Sequence, residues 1–198
     1  MRKGITTSFA AAFLLAAIPA HAQWQNRISP ADLERLSHLS EIRDAALADA
    51  GRGPGTGDSR AVDRVMRAEG RTIPANALAG NWRCRQIKLG RMSSYLVYDR
   101  WFTCTIRSSR DGLVLEKAGG SQRFAGTLFP ENGAWVYVGA SSVRGEPRHV
   151  YSGASAALGA QTSHTDQVGL LTGIGDNHLR LEIPAVQESL LDVVEFTR

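Results

Sequence analysis

The sequence contains few cysteines, no second long apolar run and no block of like charge. Only Cys84 and Cys104 occur among its 198 residues. After residue 18, no segment is apolar enough to span a bilayer. The formal net charge is +4, but the basic residues are spread out, with no run of five or more like charges. The basic composition is therefore not a signal for nucleic-acid binding.

The sequence also lacks the common catalytic motifs. Its histidines form no H-x-x-x-H or H-E-x-x-H pair, which argues against a zinc hydrolase. No G-x-S-x-G elbow occurs, and the Gly-Ile-Gly-Asp stretch at 173–176 lacks the third glycine and the strand–helix context of a dinucleotide loop. Neither cysteine has a histidine at zinc-finger spacing. We therefore predict no catalytic residue, no metal site and no cofactor.

Residues 1–22 have the parts of a secretory signal peptide. Arg2 and Lys3 form a positive start, residues 9–18 form a short apolar run, and an A-x-A sequence ends at Ala22. We predict cleavage after Ala22 and a periplasmic or secreted protein. The alternative is an N-terminal membrane anchor, for which the run is short. A lipoprotein anchor is excluded because no cysteine follows. Without this segment the chain loses two of its 23 basic residues and none of its 19 acidic residues, which leaves +2.

Two cysteines in an exported chain favour a disulfide between Cys84 and Cys104, because the compartment is oxidising. The chain-entropy estimate for a loop of this size is about 3 kcal/mol. The alternative is two buried free thiols.

Residues 23–79 predict an N-terminal helical segment. Ser29 can cap a helix in which Pro30 is the first residue and Asp32 lies in the first turn. Apolar residues then recur every three to four positions, at Leu33, Leu36, Leu39, Ile42, Ala46 and Leu47. This amphipathic helix is expected to end at Gly51.

A second, shorter helix is predicted after the glycine-rich residues 51–58, which read as a flexible loop. Ser59 can cap it, and it is expected to stop near Gly70. Its apolar positions are Val62, Val65 and Met66.

From Gly80 onward the pattern changes to short runs rich in Val, Leu, Phe, Trp and Tyr. The candidate strands are 81–89, 94–107, 112–117, 122–129, 134–141, 148–152, 166–174, 178–184 and 190–197. Turn-forming residues that join antiparallel neighbours separate them, and no βαβ spacing occurs. We predict a mainly β domain over residues 80–198, either an antiparallel up-and-down β-barrel or a barrel-like sandwich of 8–9 strands. The N-terminal helices are expected to pack on its outside or its open end.

Gly80 and Trp82 stand at the start of the first predicted strand. Alternate residues of a strand face the same side, so Trp82 and Cys84 share a face. Trp82 is expected to close one end of the barrel, with Gly80 letting the chain bend beneath it. Gly-x-Trp at this place resembles the lipocalin signature and implies a lipocalin-like barrel. Leu-Ala-Gly-Asn-Trp-Arg-Cys after an export signal is also similar to the periplasmic inhibitors of serralysin-type metalloproteases, although about 60 residues precede the barrel here.

Several longer motifs resemble an exported bacterial family called domain of unknown function 4893. They are WRCRQIKLG (82–90), the aromatic stretch before FTCTI (102–106), GGSQRFAGTLFP (119–130), VGASSVRGEPRHVY (138–151), DQVGLL (166–171) and LEIPAVQESLLDVVEF (181–196). The resemblance covers most of the mature chain. It implies an exported soluble protein, and it assigns no catalytic residues.

The predicted disulfide conflicts with a tight first hairpin. A turn at residues 90–93 would place Cys84 opposite Tyr98 or Asp99, and not opposite Cys104. Either the first connection is wide, or a bulge near residues 99–100 shifts the register. We favour the bulge.

Gln122 and Arg123 are the first ligand-binding candidates, because they follow two glycines at the start of a strand. A guanidinium inside or at the mouth of the barrel could bind an acidic ligand. The alternative is a structural salt bridge from Arg123 to Glu188 or Asp192.

Arg148, Tyr151 and Asp166 are further candidates. The polar segment 144–149 lies close to Tyr151 and could line an opening together with Asp166 and Gln167. The alternative is a solvated connection. The segment 152–164 is expected to be a long loop.

Glu182, Glu188 and Asp192 could supply a pair of carboxylates for acid–base chemistry. Strand alternation places Leu181 and Ile183 on one face, so Glu182 is expected on the other face, in solvent.

Three functional hypotheses remain open. The first is a non-catalytic exported barrel that binds a small ligand or a cell-envelope component. The second is a protein-interaction module or protease inhibitor. The third is an unrecognised hydrolase, which would need a nucleophile within reach of a base in one concave site.

Overall fold

The computed structural model describes residues 24–53, 58–98, 100–110, 112–153, 163–184 and 187–198. In these ranges it contains four helices: α1 (Pro30–Ser37), α2 (Leu39–Arg52), α3 (Ser59–Met66) and α4 (Ala75–Leu78). Short 3-10 turns occupy Gln25–Arg27 and Arg91–Ser93. Within the same ranges, no helix combines the length and apolar character needed to cross a membrane.

The first predicted helix begins where expected but is divided in two. Ser29 Oγ accepts a hydrogen bond from the Asp32 backbone N–H at 3.1 Å, and Pro30 is the first helical residue. The helix breaks at His38 because the Ser37 hydroxyl donates to the Glu34 carbonyl at 2.7 Å and ends the first run. The apolar spacing continues across this break, so the sequence pattern could not predict the break.

The cap predicted for the next helix is wrong by one residue. Asp58, and not Ser59, is the N-cap of α3. The Asp58 carboxylate accepts a hydrogen bond from the Val97 backbone N–H at 3.1 Å, which ties the helix start to a strand. The helix ends at Met66, earlier than the predicted stop near Gly70.

Nine strands form one antiparallel sheet in the described residues. They are β1 (Gly80–Leu89), β2 (Tyr95–Val97), β3 (Phe102–Ser109), β4 (Gly112–Lys117), β5 (Gln122–Glu131), β6 (Ala134–Val143), β7 (Asp166–Gly175), β8 (His178–Pro184) and β9 (Leu191–Thr197). The sheet order is β2-β1-β3-β4-β5-β6-β7-β8-β9, and β9 also pairs with β1. Eight strands therefore close into a barrel, and β2 is an extra strand beside the last residues of β1. The predicted antiparallel barrel with N-terminal helices is confirmed.

Two predicted strands are corrected. The run 94–107 is divided into β2 and β3. Residues 148–152 form no strand, because their polar groups bind other partners: His149 Nδ1 contacts the Ser141 carbonyl at 3.0 Å, and Tyr151 binds the start of α1.

The register of β1 changes between its two neighbours on one side. Ile87 faces Val97 of β2, and Cys84 faces Phe102 of β3. From Cys84 to Ile87 the chain advances three positions, whereas from Val97 to Phe102 it advances five. The segment that joins β2 to β3 therefore contains two extra residues. This is the kind of shift that we expected from a bulge; residue 99 itself lies outside the described residues.

Cys84 and Cys104 form the predicted disulfide, with Cα atoms 5.8 Å apart. They are diagonal neighbours, since Cys104 faces Trp82 across the ladder. The assumption that the two cysteines must face each other directly was therefore too strict. Both are fully buried in the barrel.

The barrel has one closed end and one open end. We call the end at which β1 and β6 finish the mouth, and the opposite end the closed end. At the closed end Trp82 is 2% exposed, and its Nε1 donates to the Leu78 carbonyl of α4 at 2.8 Å. The guanidinium of Arg198 lies 4.1 Å from the centroid of the Trp82 ring. These contacts place Trp82 in the position expected from its sequence motif.

The interior beneath this end is apolar. It is filled by Ile73, Leu78, Trp82, Cys84, Cys104, Ile106, Leu113, Leu115, Phe124, Leu128, Tyr137, Leu171, Leu179, Leu181, Ile183, Val194 and Phe196. Polar inward-facing side chains replace apolar ones only toward the mouth.

The helices cover the outside of β1 and β9. Their apolar side chains pack on Ile87, Leu89, Leu191 and Val193, and the helical side chains in this layer include Leu39, Ala46, Ala50, Val62, Val65 and Met66. Of the predicted helical stripe, Leu39 and Ala46 are buried, Leu36, Ile42 and Leu47 are half-buried, and Leu33 is 38% exposed.

Candidate functional site

A polar cavity of about 290 Å³ opens at the mouth. Its lining includes Gln86, Lys88, Gln122, Arg123, Phe124, Ser141, Ser142, Asp166, Gln167, Ile183, Glu188, Ser189 and Asp192. The volume lies near the lower end of small-molecule sites, which range from about 300 to 1000 Å³. We refer to it as the mouth cavity.

One wall of the mouth cavity is a charged network on β1 and β9. Lys88 donates to the Glu188 carboxylate. Asp192 accepts from Ser189 Oγ at 2.5 Å and from Gln86 Nε2 at 3.2 Å. The two hydrogen bonds from Ser189 and Gln86 fix the position of the Asp192 carboxylate, and the Lys88–Glu188 pair helps to hold the loop before β9 against the barrel.

Burial affects the two charged groups of this wall in opposite directions. Burial raises the pKa of Asp192 above its ordinary value, and hydrogen bonds and the Lys88 charge only partly offset it. Burial would lower the pKa of Lys88, but the neighbouring Glu188 and Asp192 carboxylates raise it overall. Lys88 therefore remains a cation at neutral pH, and Asp192 binds a proton more readily than an ordinary aspartate.

The opposite wall carries buried polar atoms without a protein partner. Arg123 and Gln167 line the cavity, and Arg123 Nε and Gln167 Oε1 are buried with no hydrogen bond in the described structure. Leaving such a group unsatisfied costs about 1–3 kcal/mol. A folded protein that retains two at the lining of one cavity has groups available for a ligand or water.

Tyr137 adds a third unsatisfied atom beneath the cavity. Its side chain is fully buried, and its hydroxyl has no hydrogen-bond partner in the described residues. The ring extends toward the mouth over Gly139, where an added Cβ would lie 2.4 Å from the hydroxyl. Gly139 faces Gln167 on the neighbouring strand. Phe124, which lines the cavity, packs edge to face against the Tyr137 ring, with the two ring centroids 6.0 Å apart.

Burial raises the pKa of Tyr137 well above its ordinary value. The group therefore stays a neutral hydroxyl at all physiological pH values and can donate or accept a hydrogen bond.

Lys117 lies close to the mouth and is 4% exposed. Its ammonium donates to the carbonyls of Gly119, at 2.8 Å, and Gln122, and it lies 4.3 Å from the centroid of the Phe102 ring. Burial, together with the positive charge of Arg123, lowers the pKa of Lys117 to about 8. Arg123 therefore contributes positive charge at Lys117, and it forms no ion pair of its own in the described residues.

Three of the five predicted ligand residues line the mouth cavity: Gln122, Arg123 and Asp166. Asp166 is 5% exposed, and it accepts hydrogen bonds from the Ser152 backbone N–H, at 2.9 Å, and from the Ser152 hydroxyl. It thus also holds the segment after β6 in place.

The other two predicted ligand residues, Arg148 and Tyr151, are not in this lining. The Tyr151 hydroxyl donates to Asp32 and accepts from the Ser29 backbone N–H at 3.0 Å, so it fixes α1 to the barrel. Arg148 is exposed and lies 3.6 Å from Glu116. Both residues border a separate groove on the outer face of β5 and β6.

The alternative salt bridges considered for Arg123 are absent from the described residues. Glu188 binds Lys88, and Asp192 binds Ser189 and Gln86. The carboxylates named as structural partners of Arg123 thus already have other partners.

The expectation that Glu182 faces solvent is wrong. Glu182 does point away from Leu181, but it is 0% exposed because α2 covers this face. It accepts from Arg43 at 2.5 and 2.8 Å and from Arg180 Nε at 3.0 Å. Arg180 in turn donates to the carbonyls at the end of α3. Strand alternation gave the direction correctly, but it carries no information about what covers that face.

A family model described as domain of unknown function (DUF4893) matches residues 24–196. The chain belongs to this family. The match extends over all four helices and all but the last residue of the barrel, and it includes every residue of the mouth cavity named above. No curated protein matches the sequence. The family description carries no activity, so the function must be argued from the site.

Sequence reasoning missed Gln86, Lys88 and Tyr137. A usable signal was present in β1, because Trp82 and Cys84 were recognised as inward-facing and the same alternation continues to Gln86 and Lys88. Two polar residues on an inward face mark the point at which the barrel interior becomes polar. Tyr137 gave no such signal, since an inward tyrosine is an ordinary core residue.

The arrangement supports polar recognition. The serine hydroxyls at the mouth bind carboxylates or backbone carbonyls: Ser189 binds Asp192, Ser152 binds Asp166, and Ser141 donates to the Thr165 carbonyl at 3.3 Å. Within the described residues, no cluster of three or more His, Cys, Asp or Glu side chains has metal-site geometry. What the cavity offers is a set of hydrogen-bonding groups and separated charges.

Proposed function

We propose that this protein is an exported, non-catalytic β-barrel that binds a small polar ligand in its mouth cavity. The observation that carries the proposal is that two buried polar atoms without partners, Arg123 Nε and Gln167 Oε1, belong to residues that line one cavity. A third such atom, Tyr137 Oη, belongs to a ring that contacts the lining residue Phe124. A barrel interior needs no such atoms for stability, and an apolar side chain at each position would avoid their desolvation cost.

The export part of the proposal rests on the first 22 residues and on the disulfide. Their charge and apolar pattern is typical of a cleaved signal peptide. A buried disulfide between Cys84 and Cys104 fits an oxidising compartment.

Ligand binding can be tested by thermal-shift screening of the purified protein against polar metabolites. A ligand present at about 100 times its Kd stabilises a protein by about 2.7 kcal/mol, which corresponds to a rise in Tm of roughly 5–10 °C for a domain of this size. The variant Ser141→Leu places a larger side chain in the cavity and is expected to abolish the shift. Ser108→Leu, at an exposed serine near the closed end, is the matched control and is expected to retain it. A screen without any stabilising polar compound would contradict the proposal.

A protein-interaction role is the second candidate, and exposed apolar side chains favour it. Met92, in the turn after β1, is 88% exposed, and Val150, which lines the groove on the outer face of β5 and β6, is 77% exposed. Isolated exposed apolar residues are common, but each of these two offers an apolar contact point for a protein partner. Inhibition of a serralysin-type metalloprotease that is lost in Met92→Ser would support this candidate, and full protease activity at micromolar barrel protein would exclude inhibition.

A further inference from the structure

The mouth cavity carries charges of both signs that form no ion pair in the described structure. Arg123 has no carboxylate partner there. Asp192 receives hydrogen bonds from the neutral side chains of Ser189 and Gln86, while the nearby Lys88 ammonium donates to Glu188. Each of these two cavity-lining groups therefore lacks an oppositely charged hydrogen-bonding partner.

The two groups come from different strands but line the same cavity. Around the closed ring of eight strands, β5, which carries Arg123, is four strands away from β9, which carries Asp192. Both side chains belong to the lining of the mouth cavity. A ligand in the cavity can therefore meet a cationic group and an anionic group.

We propose that the mouth cavity binds a small zwitterion of the α-amino acid class, with its carboxylate at Arg123 and its ammonium at Asp192. This inference rests on the proposed ligand-binding function and adds the chemical class of the ligand. A simple anion would pair with Arg123 but leave Asp192 with neutral hydrogen-bond donors and with the neighbouring Lys88, which donates to Glu188. A simple cation would leave Arg123 without a carboxylate. A zwitterion pairs both, which matters because a buried charge is costly when it lacks a partner.

The remaining features of the cavity agree with this class. Its volume of about 290 Å³ suits a single amino acid better than a drug-sized molecule. Gln167 Oε1 can accept a further hydrogen bond from an ammonium group, and the neutral Tyr137 hydroxyl lies over Gly139, the residue that faces Gln167 on the neighbouring strand. Phe124 and Ile183 supply apolar contact for an amino-acid side chain.

The experiment starts with saturation-transfer NMR on the purified protein and the twenty protein amino acids. The amino acid with the strongest signal is then titrated calorimetrically, together with its α-amide, which lacks the carboxylate, and its N-acetyl derivative, which lacks the ammonium. Both derivatives are expected to bind about tenfold more weakly or worse, because each loses one charge pair.

Two variants assign the groups. Arg123→Gln is expected to weaken binding of the parent amino acid about tenfold while leaving the affinity for the α-amide unchanged. Asp192→Asn is expected to weaken binding of the parent amino acid by a similar factor while leaving the affinity for the N-acetyl derivative unchanged. Arg110→Gln, which removes the same charge at the closed end, is the matched control and should change neither. Arg123→Lys keeps the charge and should recover part of the affinity, and circular dichroism with urea unfolding verifies that each variant folds.

The outcomes separate this inference from the function on which it rests. If the derivatives bind as tightly as the parent, or if both charge variants retain full affinity, the zwitterion assignment is wrong. The same holds if no amino acid binds but a neutral sugar or a simple acid does, in a manner sensitive to Ser141→Leu; polar-ligand binding then stands. If no small polar compound of any class binds, both proposals fail.

Discussion

Arg43 of α2 donates two hydrogen bonds, of 2.5 and 2.8 Å, to the Glu182 carboxylate of β8 across the boundary between helix and barrel. Glu182 is fully buried and also binds Arg180, which holds the carbonyls at the end of α3. One carboxylate therefore connects two helices to the outside of the barrel. Because the neighbouring packing of α2 and α3 on β1 and β9 is mostly apolar, this charged group helps to fix where the two helices lie.

Removal of Arg43 should be costly. Arg43→Ala leaves the buried Glu182 carboxylate with one cationic partner and is expected to destabilise the protein by about 3 kcal/mol. Arg52→Ala is the matched control on the same helix, because its pair with Asp49 is exposed. That pair is expected to contribute less than about 1 kcal/mol. Urea unfolding measures both values, and equal effects of the two substitutions would show that the Glu182 contact does not anchor α2.

The disulfide should contribute a similar amount to the free energy of unfolding. Cys84→Ala with Cys104→Ala opens a loop that spans a sequence separation of 20 residues, and the expected loss of unfolding free energy is about 3 kcal/mol. Urea unfolding of the wild-type protein with and without reductant provides the independent comparison. Reductant should lower the stability of the wild type and leave the double variant unchanged. If the urea midpoint of the wild type is unchanged after complete reduction, the disulfide does not contribute to stability.

Tyr137 offers a prediction of the opposite sign. Its buried hydroxyl lacks a partner, so Tyr137→Phe removes an unsatisfied group and is expected to stabilise the ligand-free protein by about 1 kcal/mol. Tyr151→Phe is the contrasting control, because that hydroxyl binds both Asp32 and Ser29. It should destabilise the protein by about 1–2 kcal/mol. Thermal or urea unfolding measures both, and loss of stability in Tyr137→Phe would mean that the hydroxyl is satisfied by bound water.

Lys117 makes stability depend on pH in the alkaline range. Its pKa of about 8 in the folded protein lies below the ordinary 10.5, so the unfolded chain binds more protons between these two values. Stability should therefore rise with pH in this window, because the cost of burying the cation disappears as Lys117 loses its proton.

The measurement is the unfolding free energy of wild type and Lys117→Met from pH 6 to 11. The difference, wild type minus variant, should rise by roughly 2 kcal/mol between pH 8 and 10.5. It should be flat between pH 6 and 7. A constant difference over the whole range would show that Lys117 titrates normally.

Export predicts a defined new N-terminus. Intact-mass analysis of protein from a periplasmic fraction should show loss of residues 1–22, so that the chain starts at Gln23. Ala22→Arg should block this cleavage, whereas Ala16→Ser, in the apolar run, should not. Recovery of an uncleaved wild-type chain from the cytoplasm would contradict both the signal peptide and the proposed location.

The architecture was readable because strand patterns depend on local residues. Alternation in stretches such as Phe102, Cys104 and Ile106, with turn residues between runs, was sufficient to predict an antiparallel barrel. Errors arose where distant contacts decide the outcome. Residues 148–152 have the composition of a strand, yet Tyr151 is bound by Asp32, which lies far away in the sequence.

The site could be predicted only in part, because it too depends on contacts between residues that are distant in the sequence. Arg123 could be proposed because it follows a glycine turn, but its lack of a partner depends on how Lys88 and Ser189 occupy the nearby carboxylates. Such pairing across the barrel depends on the ring order of the strands, which no local pattern contains. Lys88 itself could have been found by continuing the alternation from Trp82.

The pairing of the first strand with the last has a consequence for the timing of folding. β1 and β9 join residues 83–89 to residues 191–197, about 100 positions apart, so the ring cannot be completed until the whole polypeptide has been delivered. The crosslink between β1 and β3 needs only the early part of the chain. If the chain is exported as proposed, an oxidant that it meets during export can join β1 to β3 before β9 arrives, which leaves fewer strand pairings to form afterwards.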